Sequence, residues 1–320
     1  MKGKNTIIGL ALGGGGARGF AHIGVLRVLE EENVPIDMIV GTSSGALVGG
    51  AYALGQDPDM LEQSIEEFLN SPEFQSSVIN AIEEAHKHTD KKLADKIQNY
   101  LKSKILMFQA LFRPGILSAK EFQFMIDHLI PDIDIEDTKI PFRAVATDLV
   151  TGKPVVFSQG SLREAIMASS AVPGAIEPFR KGGWLLADGG ILAHVPVTIT
   201  RREGADRVIA VAITKNIHLD NDLKTAQDIF NRANDITTYY LVEHELKEAD
   251  VVIRPDVGSL HWSEFSRARH LIEEGERAAR ARVDQIKCIL PGHGKWLNPA
   301  HYLRLYRLRK DRSAAITAAE

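Results

Sequence analysis

The stretch Gly41-Thr42-Ser43-Ser44-Gly45 sets a serine between two glycines where an apolar run gives way to a helix-forming one. Met38-Ile39-Val40 ahead of it is β-branched and apolar, and Ala46 to Leu54 behind it is small and apolar. Strand, sharp turn and tightly packed helix follow, the form of a nucleophile elbow. A Cβ at Gly41 or Gly45 would crowd such a turn, and the strain lifts the Ser43 hydroxyl clear of the sheet. The helix N-terminus beside it supplies a positive dipole end. Taken alone, the same residues fit an ordinary N-cap at Ser43 or Ser44.

Upstream, Ile7 to Leu12 reads as a buried strand that runs into Gly13-Gly14-Gly15-Gly16-Ala17-Arg18-Gly19, and a helix is expected from about Phe20 to Glu32. The order strand, glycine loop, helix, strand, elbow predicts a parallel βαβ unit within an α/β sheet covered by helices. Both loops then lie at one edge of that sheet. Further strands are expected at Phe142–Thr147 and Pro154–Phe157, joined by a glycine turn, and at Trp184–Ala187, Arg207–Ile213 and Val251–Ile253. Helices are expected at Leu162–Ala168, Leu223–Lys247 and Glu264–Cys288.

From about Asp57 to Pro114 the pattern is helical, an insertion or cap on a single domain running over residues 5–288. Leu93, Ile97, Leu101, Ile105, Phe108 and Phe112 form an apolar stripe there. It suits either a helix packed on the core or a lid that admits an acyl chain. The tail, 289–320, interleaves Tyr302, Leu305 and Leu308 with Arg304, Arg307 and Arg309, a short basic helix or a loosely docked segment.

Composition narrows the function. At 320 residues the chain buries a substantial core. A formal net charge of -4 gives no reason to expect a nucleic-acid partner. Cys288 is the only cysteine, so no intramolecular disulfide forms. Four glycines interrupt the apolar N-terminal segment, which argues against a signal peptide, and no run approaches the roughly 20 apolar residues of a membrane span. The expectation is a soluble cytoplasmic protein, open to peripheral contact with a membrane.

A serine hydroxyl is a weak nucleophile at neutral pH and needs a base and oxyanion donors. Gly14, Gly15 and Gly16 can turn successive N–H groups toward one point, with Arg18 holding the loop or adding charge. Gly14, Gly16 and Gly19 also match the glycines of a dinucleotide-binding turn, but the acid that should end the second strand is missing, since Asp37 precedes that strand. A phosphate-binding P-loop fails because Arg18-Gly19-Phe20 offers neither Lys nor an adjoining Ser or Thr. Candidate bases are Asp188, in Asp188-Gly189-Gly190 at the end of a predicted strand, and His22 or His194. Asp-Gly is also a favoured turn pair. His86 and His88 lie in a charged helical stretch with no cluster that demands a metal.

Together, Gly14-Gly15-Gly16-Ala17-Arg18-Gly19, Gly41-Thr42-Ser43-Ser44-Gly45 and Asp188-Gly189-Gly190 resemble the ordered motifs of the bacterial patatin-like phospholipases. The resemblance runs from about Ile7 to Val211 and more loosely to about Ala279, and Ala168-Ser169-Ser170-Ala171-Val172-Pro173 is similar to the family's block before the aspartate. It implies a three-layer α/β/α sandwich with a mainly parallel sheet and a lipid acyl hydrolase of phospholipase A or lysophospholipase type. By resemblance, Ser43 is the nucleophile, Asp188 the base of a dyad, and Gly14, Gly15, Gly16 and Arg18 the oxyanion loop. The implied substrate is a phospholipid or lysophospholipid, with no metal or cofactor. His194 departs from the pattern, which has asparagine before the Val-Pro pair. The early elbow sets the chain apart from the α/β-hydrolases. The alternative is a regulator on the same fold that binds lipid or a partner without turnover.

Overall fold

The structure, a computed structural model, describes residues 6–77, 80, 81, 83, 84, 115–117, 119–215, 217, 219, 223–258 and 260–291. Its strands are β1 (Ile8–Leu12), β2 (Met38–Thr42), β3 (Gly115–Leu117), β4 (Phe142–Asp148), β5 (Lys153–Phe157), β6 (Gly174–Ile176), β7 (Phe179–Lys181), β8 (Trp184–Asp188), β9 (Arg207–Val211) and β10 (Val251–Ile253). Eight of them form one sheet in the order β10-β9-β1-β2-β4-β8-β7, with β5 also paired to β4, while β3 and β6 pair apart from it. β10, β9, β1, β2 and β4 run parallel. β1 and β2 are buried along their whole length, as central parallel strands covered on both faces must be. Leu12 pairs with Gly41, so these two strands end level and their loops emerge side by side.

The antiparallel part decides where the site forms. β5 covers β4 from Ala144 to Asp148. β2 pairs with Phe142 to Val145 of β4, and β8 pairs with Ala146 to Asp148. A strand has two edges, and β5 overlaps both partners, so β2 and β8 must share the other edge of β4. They run toward each other along it and stop end to end, Thr42 beside Val145 and Asp188 beside Ala146.

The helices that matter are α1 (Ala21–Glu31), α2 (Ser44–Ala53), α3 (Pro58–Asn70), α4 (Ala119–Leu129), α5 (Leu162–Ser169), α6 (Val197–Arg202), α7 (Ala226–Glu245) and α8 (Ala268–Arg280). Alternation along the strands divides the core into two layers. Leu10, Leu12, Ile209 and Val211 face α1, α2 and α8. Ala11, Val208 and Ala210 face Val197 of α6 and Val242 of α7. Helices thus cover both faces, the expected three-layer α/β/α sandwich.

Some expectations change. The first helix opens as a 3-10 turn over Gly16–Phe20. The stretch expected as one helix from Glu264 divides into a 3-10 turn at Phe265–Arg267, α8, and a separate helix at Val283–Ile289. β3, β6 and β7 have three residues each, too short to carry a periodic signal. The Leu93 to Phe112 stripe, His86, His88 and the tail beyond residue 291 lie outside the described residues. Among the described residues, no helix is long and apolar enough to cross a membrane.

Candidate active site

Ser43 has φ 56° and ψ −125°, a left-handed conformation that a non-glycine residue adopts only at a cost of order 1–3 kcal/mol. The turn is tight enough that a Cβ on Gly45 would lie 2.3 Å from the carbonyl oxygen of Leu12, so α2 starts in contact with the end of β1. The strain is braced from outside. The Ser43 N–H donates to Ser169 Oγ at 2.9 Å, and that hydroxyl donates to the Val145 carbonyl at 2.6 Å, tying the elbow to β4 through the end of α5. Thr42 Oγ1 donates to the Ala193 carbonyl at 2.8 Å, beyond Asp188.

Asp188 reaches Ser43 because β8 runs against β4. The two strand ends meet head on. The Ser43 hydroxyl lies close enough to the Asp188 carboxylate to favour the ionised form. The Gly190 N–H donates to the same carboxylate at 2.7 Å, and the Asp188 N–H donates to Ala171 O at 2.9 Å. The Asp-Gly-Gly segment is therefore both a turn and a mount for the side chain. Gly189 is required there, since a Cβ would fall 2.2 Å from the Val145 carbonyl oxygen. Asp188 is buried, and burial raises its pKa to about 6 against the opposing bonds from Ser43 and Gly190. At neutral pH it is ionised and basic enough to take a proton.

The glycine loop divides its labour. The Gly13 N–H donates to Val211 O at 3.0 Å and the Gly14 N–H to His194 O at 2.9 Å. Gly14, expected among the oxyanion donors, has its N–H engaged in this way, and its missing side chain instead leaves room for Ser43. Gly15 and Gly16 stand at the N-cap and first position of the 3-10 turn, where N–H groups find no acceptor within the turn. Arg18 Nε donates to the Gly15 carbonyl at 3.0 Å, which holds the loop in shape.

Neither histidine stands in for the carboxylate. His22 Nε2 donates to the Gly13 carbonyl at 2.8 Å, and burial lowers its pKa to about 4. His194 sits beside the loop, also lowered to about 4, first by burial and then by the charge of Arg18. Its backbone is held from α7, where the buried carboxyl of Glu245 accepts the Val195 N–H at 2.9 Å. Burial raises the Glu245 pKa to about 8. Ser169 stands in the block similar to the family's segment before the aspartate, but neither it nor Glu245 shows its role in the sequence, because both act through backbone groups distant in the chain.

Beside Ser43 opens a cavity of about 100 Å³ with almost wholly apolar walls, among them Leu47 and Val48 of α2, Ile65 and Phe68 of α3, and Phe122 and Met125 of α4. α3 belongs to the segment expected as a cap. A serine, a carboxylate and two N–H groups with no acceptor among the described residues, beside an apolar cleft, are equipped for acyl transfer from an ester.

The chain is similar to known proteins. The profile of the patatin-like phospholipase family matches residues 10–201, well over half of the chain. An uncharacterised NTE-family protein of Mycobacterium bovis is 38% identical over 206 residues, which cover 64% of this chain and 49% of that protein. Patatin-like phospholipase domain-containing protein 6 of Mus musculus is 31% identical over 259 residues, 80% of this chain and 16% of that protein. The crystal structure of VipD from Legionella pneumophila superposes with a TM-score of 0.48 at 17% identity, covering 88% of this chain and 67% of that one. The chain spans about half the length, or less, of these two curated relatives. The family match contains all three motifs, and this chain belongs to the patatin-like phospholipases.

Proposed function

We propose that the chain is a lipid acyl hydrolase of phospholipase A or lysophospholipase type, which cleaves carboxylic esters through Ser43 and Asp188. The observation that carries this reading is the meeting of β2 and β8 on one edge of β4, which brings a strained, buried serine beside a buried carboxylate of pKa about 6. Asp188 accepts the Ser43 proton as Oγ attacks the ester carbonyl carbon. The oxyanion that forms is met by the N–H groups of Gly15 and Gly16, each such donor contributing on the order of 100- to 1,000-fold in rate. Collapse expels the alcohol, which takes the proton from Asp188, and leaves an acyl-enzyme whose chain occupies the apolar cavity. Asp188 then takes a proton from water, and the resulting attack releases the fatty acid and restores Ser43.

We extend the proposal to a cytoplasmic protein in peripheral contact with a membrane. Its substrate is a lipid, and the exposed Leu149, Val150 and Trp184 supply apolar groups for such contact.

A fluorophosphonate probe tests the core of the reading. Labelling is expected at Ser43, and Ser43→Ala is expected to remove ester hydrolysis by about 10⁴-fold or more with the fold intact. Hydrolysis that survives the substitution would sink the assignment. An unlabelled chain, under conditions that label a control hydrolase, would favour a binding protein.

A further inference from the structure

An ester has two ends, and the apolar cavity suits one of them. On the other side of the glycine loop lies a second cavity, of about 640 Å³, with walls that are part polar and part apolar. Arg18, His194, Lys215, Asp235 and Tyr239 line it, and Trp262 borders both cavities. The loop is the partition between them. Gly16 faces the apolar side, while Arg18, bonded back to the Gly15 carbonyl, faces the polar one. An ester carbonyl held at Gly15 and Gly16 with its acyl chain in the apolar cavity therefore directs its alcohol portion toward Arg18.

The charges in that second cavity are unbalanced. Arg18 and Lys215 lie close enough for Arg18 to depress the Lys215 ammonium, after burial, below its ordinary range. Asp235 acts on both cations with the opposite sign, and Glu264, from outside the residues that line the cavity, acts so on Lys215. Arg232 also reaches the cavity but has interactions of its own. Two like charges in a partly dry space repel, and Asp235 is the one carboxylate among the described residues that line the cavity. A lining in which cations outnumber carboxylates favours an added negative charge, and a phosphate diester carries one, with oxygens suited to charge-assisted bonds from guanidinium and ammonium groups.

We infer that this cavity seats the phosphate of the lipid substrate, and that Lys215 selects phosphate-bearing esters over neutral ones. This deepens, and rests on, the hydrolase reading. Arg18 is fixed by Gly15 and serves the loop as well, whereas no bond from Lys215 to the loop is seen among the described residues, which makes it the residue to change.

The experiment compares a lysophospholipid with a monoacylglycerol of the same acyl chain, using the wild-type chain, Lys215→Ala and Lys215→Arg. The expected result is a ratio of kcat/KM, lysophospholipid over monoacylglycerol, that falls about tenfold in Lys215→Ala and recovers in Lys215→Arg. An unchanged ratio in Lys215→Ala overturns the inference.

A second arm needs no turnover. The Ser43→Ala chain, with and without Lys215→Ala, is titrated with the same two lipids and with inorganic phosphate. Lysophospholipid binding should weaken about tenfold on loss of Lys215, and monoacylglycerol binding by much less. Equal weakening of both overturns the inference. So does inorganic phosphate that binds as tightly as the lysophospholipid, because the site is then one for a free anion. A wild-type chain that hydrolyses neither ester would remove the hydrolase reading alone, and the binding arm would still decide what the cavity holds.

Discussion

The two strand ends that meet on the edge of β4 are built in different ways. At the end of β2 most of what shapes Ser43 lies within a few residues, from the left-handed backbone to the glycine that lets α2 start against Leu12, with one brace from Ser169. At the end of β8 almost nothing is local. Asp188 is level with Ser43 only because β8 pairs with β4 in one register. That register is pinned by Asp148, whose carboxylate accepts N–H groups from Val150 and Thr151 in its own turn and from Leu185 in β8. The Leu149 N–H donates to Leu185 O at 2.8 Å and completes the clasp. The nucleophile is thus a product of the local chain, and the base a product of pairing across about forty residues. Activity requires both to be correct at one point.

Asp188→Asn separates the chemistry of that meeting point from its geometry, and the largest effect is expected there. Asparagine keeps an acceptor for the Gly190 N–H but cannot take the serine proton. Hydrolysis should fall on the order of 10³- to 10⁴-fold. In the wild type, kcat/KM should rise with pH through about 6 and then level, as Asp188 ionises. Stability should move the other way. The folded pKa lies above the ordinary 3.8, so the folded chain binds the proton more tightly and loses stability as pH climbs from 3.8 to about 6. That difference corresponds to about 3 kcal/mol. Denaturant titrations should find Asp188→Asn more stable than wild type at pH 8 by up to this amount, and no more stable at pH 3. An equal gain at both pH values would mean that the buried charge is not what the site holds at a cost.

The contrast between the two ends also explains what could be read in advance. The βαβ unit, the glycine loop and the elbow are local patterns of glycine and apolar residues, and they stand where the chain order puts them. Asp188 stands out at the end of its strand, but the direction of that strand does not, because no residue near Trp184 reports which neighbour β8 will take. The sharing of one edge of β4 by β2 and β8 follows from β5 covering the other. That is a fact of tertiary pairing with no signature in any window of sequence. Gly14 shows the same limit on a smaller scale. Its type suggests an oxyanion donor, yet its N–H is committed to His194, 180 residues further on.

Ser169→Ala sharpens the comparison by asking whether the elbow holds itself. Its hydroxyl is the link from the Ser43 N–H to the Val145 carbonyl, and all three groups are buried. Truncation leaves a buried donor and a buried acceptor unpaired, at about 1–3 kcal/mol. A loss of about 2 kcal/mol in urea titrations is expected, with slower fluorophosphonate labelling of Ser43. If stability and labelling rate both match wild type, the turn is self-sufficient and the brace from α5 is incidental.

The smallest effect belongs to the neighbouring serine. Ser44 sits one residue into α2, lines the apolar cavity, and has its hydroxyl buried without a hydrogen-bond partner among the described residues. It packs against Gly19, where an added Cβ would lie 2.6 Å from Ser44 Oγ. An unpaired hydroxyl contributes no net hydrogen bond, and an alanine in its place removes a buried polar group while leaving the backbone of the turn untouched. Ser44→Ala should therefore change stability by less than about 1 kcal/mol, toward greater stability, and the probe should still label Ser43. A loss of 2 kcal/mol or more, on the scale of a broken buried hydrogen bond, would show that the Ser44 hydroxyl is bonded in solution. The local end of the comparison would then depend on a polar contact as well as on its glycines. With the small effect expected, the elbow needs only a serine at 43 and the space that the glycines around it leave.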